Sequence, residues 1–104
     1  MKSVEITPRA RAQVYGALVK RQAEIQKKGR GTFVRKGPAR AASAAWQHKK
    51  FQGLVKLERD GDALVGVKIR SRTPDNEFNL LKAFLGFVDR NCRDQIASIA
   101  INYH

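Results

Sequence analysis

VKLERDGDALVGVKIR, residues 55–70, is the stretch on which the fold turns. Val55 and Leu57 alternate with Lys56 and Glu58, and Val65, Val67 and Ile69 alternate with Gly66, Lys68 and Arg70. Alternation with period two marks strands that bury one face and wet the other. Between the two runs stands Asp60-Gly61, a hairpin signal because tight turns need residues that tolerate positive φ. Arg59 and Asp62 beside it leave room for a longer loop.

Downstream, Thr73-Pro74 reads as a helix cap followed by proline at the first helical position. Asp75 and Glu77 fall in the first turn, where the helix dipole favours negative charge. The spacing predicts a helix to about Asn91. Ala97, Ile99, Ile101 and Tyr103 then alternate with Ser98, Ala100 and Asn102 in a terminal strand. The resulting β-β-α-β unit predicts a small three-stranded, mainly antiparallel sheet packed on a long helix. Order 2-1-3 makes every neighbour antiparallel and suits a right-handed crossover. On the covered face Val55, Leu57, Val65, Val67, Ile69, Ile99 and Ile101 would converge. Lys56, Lys68 and Arg70 would show on the other.

Upstream, Thr7-Pro8 repeats the cap-plus-proline pattern. Ala10, Val14, Leu18 and Ile25, with Ala17 beside them, have helical spacing as far as about Lys28, and Gly29 and Gly31 supply a stop. Residues 31–50 read less clearly. Thr32-Phe33-Val34 suits a short strand broken by Gly37-Pro38, and alanine-rich 39–47 suits either a helix carrying Trp46 or a mobile basic segment. The expectation is one α+β domain over residues 1–104: a basic N-terminal helix (1–30), a basic segment that is either ordered or mobile (31–50), and the β-β-α-β core (51–104).

Helix 74–91 is apolar over too wide an arc for one contact. Phe78, Leu81, Leu85, Val88 and Cys92 are expected to face the sheet, while Leu80, Ala83, Phe84 and Phe87 widen the arc to roughly 220°, against the 100° or so a surface helix needs. Either the first helix or Trp46 covers Leu80, Phe84 and Phe87, or a second chain does. The second alternative makes those residues a protein interface, or a homodimer contact through helix 74–91.

Charge supplies the functional reading. Residues 1–50 hold thirteen basic and two acidic side chains, a net +11, whereas residues 51–104 hold eight and seven, a net +1. Like charges gathered in one half suggest a polyanionic partner. The expected nucleic-acid-binding residues are Lys20, Arg21, Lys27, Lys28, Arg30, Arg35, Lys36, Arg40, Lys49 and Lys50, with Phe33 and Trp46 stacking on exposed bases. No helix-turn-helix, zinc-finger or ribonucleoprotein pattern accompanies them, so the partner is RNA or DNA held through its phosphates. The alternative is a protein-interaction module, an inhibitor or adaptor docking an acidic protein through the same charges and helix 74–91.

Catalytic and cofactor patterns are lacking. Cys92, His48 and His104 have no metal-ligand spacing, and the glycines never form a phosphate-binding loop. His48 among Lys49 and Lys50 has the makings of a general base, but no second acid or base stands with it. Cys92, on the inward arc of its helix, reads as an inert thiol. The expectation is a non-enzymatic protein without cofactor or metal. A single cysteine, no leader-like apolar run in residues 1–10 and no stretch near the roughly 18 apolar residues of a membrane span point to a cytoplasmic protein.

Overall fold

In the computed structural model, which describes residues 1–10, 12–61 and 64–104, the hairpin forms where its alternation places it. β4 (Leu54–Asp60) and β5 (Leu64–Arg70) run antiparallel, with Val55 opposite Ile69 and Leu57 opposite Val67. Gly61 begins the turn at φ +64°. α2 (Pro74–Cys92) starts at Thr73, whose side-chain oxygen accepts the Asn76 N–H at 3.2 Å. A 3-10 turn, Arg93–Gln95, leads into β6 (Ile96–Tyr103). Arg11, expected among the helix cations, and Asp62, expected beside the turn, lie outside the described residues.

The N-terminal segment overturns the three-stranded fold. Lys2–Pro8 is a strand, β1, and the first helix, α1, spans only Val14–Lys27. Val4 and Ile6 alternate with Ser3, Glu5 and Thr7, so burial of one face outweighs the capping signal in Thr7-Pro8. Thr7 still pairs with Ser98, and Pro8 stands where the register shifts, so its missing N–H breaks no regular ladder. The short strand expected at Thr32-Phe33-Val34 forms as β2 (Phe33–Arg35), and a further strand, β3 (Ser43–His48), replaces the expected helix or mobile segment. Alanine favours a helix, but here Ala44 and Trp46 turn inward and Gln47 outward, and the burial of Trp46 decides.

The described residues thus form one six-stranded antiparallel sheet of order β2-β3-β4-β5-β1-β6. The expected order 2-1-3 fails because β6 pairs with β1 and not with a hairpin strand. Both helices cover the same face. α1 buries Val14, Tyr15, Leu18 and Gln22, and α2 buries Leu80, Leu81, Phe84, Phe87, Val88 and Cys92. The wide apolar arc of α2 is closed from within: the Trp46 ring lies 6.1 Å from Phe84 and 5.2 Å from Phe87, centre to centre. Each such side chain, taken from water, contributes about 1.5–3 kcal/mol. Phe78, expected to face the sheet, is exposed instead, and so are Ile99 and Ile101. The helices do not reach out over the edge strand that carries those isoleucines.

Two features make this packing testable. Gly53, at φ +144°, sits so close to the Arg70 carbonyl and the Leu80 side chain that a Cβ would collide with both. Gly37 also has positive φ but open space around it. Gly53→Ala should cost about 1–3 kcal/mol more than Gly37→Ala in urea denaturation, since only the first adds a clash to backbone strain. The second feature is Glu77, buried against the Lys2 ammonium at 2.8 Å and the Met1 amino group at 3.2 Å. The Lys2 hydrogen bond holds its carboxyl below the usual range, against the opposing effect of burial. That contribution is complete above the unfolded carboxyl value of about 4.3 and is lost as pH falls through the lower folded value. Glu77→Gln should therefore lower stability at neutral pH and flatten its decline below about pH 4.3.

Candidate polyanion-binding surface

β2 is only three residues long, yet α1 fixes it firmly. Gln22, 2% exposed, donates through Nε2 to the Phe33 carbonyl at 3.1 Å and to Gln26 Oε1 at 2.7 Å. The same Gln26 oxygen accepts the Arg35 N–H at 3.0 Å. The last turn of α1 closes through Lys28 N–H to Glu24 and Arg30 N–H to Ile25. Gly31, at φ +81°, then turns the chain into β2 so tightly that a Cβ would strike Ile25. On the other side of β2, Lys36 N–H donates to the Ala45 carbonyl and Lys49 N–H to that of Thr32.

These bonds gather Lys27, Lys28, Arg30, Arg35, Lys36, Lys49 and Lys50 around one edge of the sheet, all exposed. Ion pairs among the described residues join the Met1 amino group and Lys2 to Glu77, Arg21 to Glu24, Lys56 to Glu58 and Arg93 to Asp89. None of the seven edge cations is among them. Among the described residues their charge is uncompensated.

The cationic zone continues round the edge onto the uncovered sheet face. There Lys36, Arg70 and Arg72 line a shallow cavity of about 260 Å³ with Gln47, Gln52 and Ser71. Lys56 and Lys68 stand directly opposite each other on the neighbouring row. Sequence reasoning set Lys56, Lys68 and Arg70 on this face without joining them to the N-terminal cations, because the pairing of β3 with β4 is what aligns the two groups. Arg72 was missed, and no local pattern points to it.

Not every expected residue joins. Phe33 and Trp46 are 4% and 0% exposed, rings 5.6 Å apart in the core, and neither can stack on a base. A half-buried pair takes their place at the surface: His48 and Phe51 stack with centroids 4.7 Å apart, and the Lys50 ammonium lies over Phe51 at 5.6 Å. Arg40 sits by Ser43, at the opposite end of β3 from Lys49. Lys20 is exposed on α1. Arg21 is turned towards α2, donating to Asn91 Oδ1 at 3.0 Å. With Arg90, Thr32, Phe33 and Phe87, Arg21 and Asn91 line a cavity of about 440 Å³. Leu80, Phe84 and Phe87, expected as an interface, are buried in the chain's own core.

The chemistry of the two candidate catalytic side chains follows from their settings. His48 Nδ1 accepts the N–H groups of Lys50 at 3.0 Å and Phe51 at 3.2 Å, which leaves the proton on Nε2. Burial, and then the charge of Lys50, hold its pKa below 6.5. Cys92 is 3% exposed, and burial pushes its thiol pKa up. Among the described residues no group of three or more His, Cys, Asp or Glu side chains is placed to hold a metal ion, and no helix is long and apolar enough to cross a membrane.

Because folding lowers the His48 pKa, its turn is fully stabilised above the unfolded value of about 6.5 and loses that contribution as pH falls through the folded one. His48→Ala, which leaves two N–H groups without an acceptor, should cost about 1–2 kcal/mol at neutral pH. His48→Asn, whose side-chain oxygen reaches the same donors, should restore most of that loss and remove its pH dependence between 7 and 5. Thermal melts of the three proteins across that range would check both expectations.

No family model matches the chain, and neither a curated protein nor a solved structure is significantly similar to it. What the cationic edge binds is therefore argued from its own chemistry.

Proposed function

We propose that this protein binds nucleic acid, RNA or DNA, through phosphate contacts from the cationic edge around β2, without catalysing a reaction. One observation carries the reading: seven exposed cations, Lys27, Lys28, Arg30, Arg35, Lys36, Lys49 and Lys50, gather there with no acidic partner among the described residues. Such a cluster repels itself unless counter-charge is near, and a phosphate backbone supplies that charge in a row. The adjoining His48–Phe51 stack offers an aromatic surface to an unpaired base, which suits a single strand better than a duplex. Nothing at this edge is built to read base sequence.

Two features weaken the competing readings. Docking of an acidic protein drew its support from Leu80, Phe84 and Phe87, whose side chains are spent on the core. General-base catalysis by His48 needs an uncommitted, unprotonated imidazole nitrogen beside a second acid or base, and His48 commits Nδ1 to its own turn. The lone buried thiol of Cys92 suits a reducing, cytoplasmic setting, where nucleic acid is an abundant polyanion.

Anisotropy titrations with random-sequence RNA and DNA oligonucleotides test the proposal. Five neutralised phosphates should give a slope of log affinity against log salt of about −4.5 on duplex or about −3.5 on a single strand. Reversing Lys27, Lys28, Arg30, Arg35 and Lys36 to Glu should abolish binding while leaving the circular-dichroism spectrum unchanged, since all five are exposed. Binding that is indifferent to salt, or that survives the five reversals, would refute it.

A further inference from the structure

β6 is the longest strand of the sheet and one of its two edges, and Ile96–Tyr103 contains no charged residue. Sheet edges in monomers are normally blunted by brevity, lysine, proline or a bulge. The opposite edge, β2, is short and ringed by cations. From Ser98 to Tyr103, β6 has none of these devices and pairs with β1 without a shift of register.

Its outward peptide groups can be assigned. His104 N–H donates to the Met1 carbonyl at 3.0 Å, so the peptide groups of Asn102, Ala100 and Ser98 also turn towards β1. Those of Ile99, Ile101 and Tyr103 therefore face the open edge. The side chains of the same three residues stand on the helix-covered side, opposite Ile6, Val4 and Lys2. They are 37%, 40% and 69% exposed. Phe78 is 44% exposed, on the flank of α2 opposite Phe87 and Arg90, which meet Arg21 of α1.

We propose that β6 pairs antiparallel with β6 of a second copy of this chain, across a two-fold axis perpendicular to the sheet at Ile101. Facing residues then share a side of the sheet: Ile101 meets its own counterpart, and Ile99 meets Tyr103 of the second copy. The outward N–H and C=O groups of all three are satisfied reciprocally. On the uncovered face Ala100 meets Asn102, so no like charges oppose each other. Self-pairing also answers the net charge of +12 on each copy. β2 lies five strands from β6, about 24 Å at the usual strand spacing. The cationic edges therefore end at the far ends of the joint sheet, well beyond a Debye length of about 8 Å.

Ile99, Ile101 and Tyr103 expose on the order of 300 Å² per copy. With the backbone edge added, that approaches the lower limit for stable interfaces, about 600 Å² per partner. A dimer dissociating at micromolar concentration is the expected result. The inference is independent of the nucleic-acid reading, and the experiment uses no nucleic acid. In sedimentation velocity the full chain should move from monomer to dimer between about 1 and 200 µM. The double variant Ile99→Lys/Ile101→Lys, altered only at exposed side chains, should stay monomeric with an unchanged circular-dichroism spectrum. Amide exchange of the unmodified chain gives a second reading: Ile99, Ile101 and Tyr103 should be protected at high concentration and lose protection on dilution. A chain monomeric at 200 µM, a dimer that survives both lysines, or β6 amides whose exchange ignores concentration would each overturn the proposal.

Discussion

β1 is hydrogen-bonded on both sides, to β5 and to β6, and the rest of the molecule depends on that double pairing. Among the described strands, β6 pairs with β1 alone. Val4 and Ile6, both fully buried, hold the strand in the core, and the Lys2–Glu77 pair ties its start to α2. From the far end of β1 the chain crosses back over β5, β4 and β3 by way of α1 to reach β2. The position of the cationic edge is thus set by a strand four places away. Residues 2–8 must find partners some sixty to a hundred positions along the chain. Such closures carry a large entropic cost and form late, so folding should be slow for a chain of this length.

That long-range constraint explains which parts of the fold were legible in the sequence. The hairpin, α2 and β6 announce themselves because their periodicity is local and their punctuation agrees with it. β1 was hidden by Thr7-Pro8, a dipeptide that suits the start of a helix and the end of a strand equally well. β3 was hidden by its alanines, whose intrinsic preference yields to the burial of Trp46. Strand order leaves no local trace at all.

The site divides in the same way. A net charge can be counted, so the class of partner was readable from composition. Its geometry was not, because Lys36, Arg70 and Arg72 meet only through the pairing of β3, β4 and β5. Phe33 and Trp46 show the limit most clearly. An aromatic ring among cations suits base stacking or core packing, and only the parity of its strand decides. Phe33 stands opposite His48, and Trp46 opposite Arg35, on the face that the helices cover. Arg35, on that same face, stays exposed because it stands at the open end of the edge strand, beside Gln26 and Lys27 of α1.

Trp46 is the chain's single tryptophan, with its indole sealed from solvent among Phe33, Phe84 and Phe87. It sits beneath the β2 edge, whereas Tyr103 stands at the far edge of the sheet. The molecule therefore carries an optical probe of its own at the cationic end. Its emission should be short in wavelength and shielded from dissolved quenchers while β2 and β3 stay in place. Loss of that end of the sheet would register as a red shift even if β6 remained paired, so unfolding that begins at the charged edge is distinguishable from unfolding that begins at the neutral one.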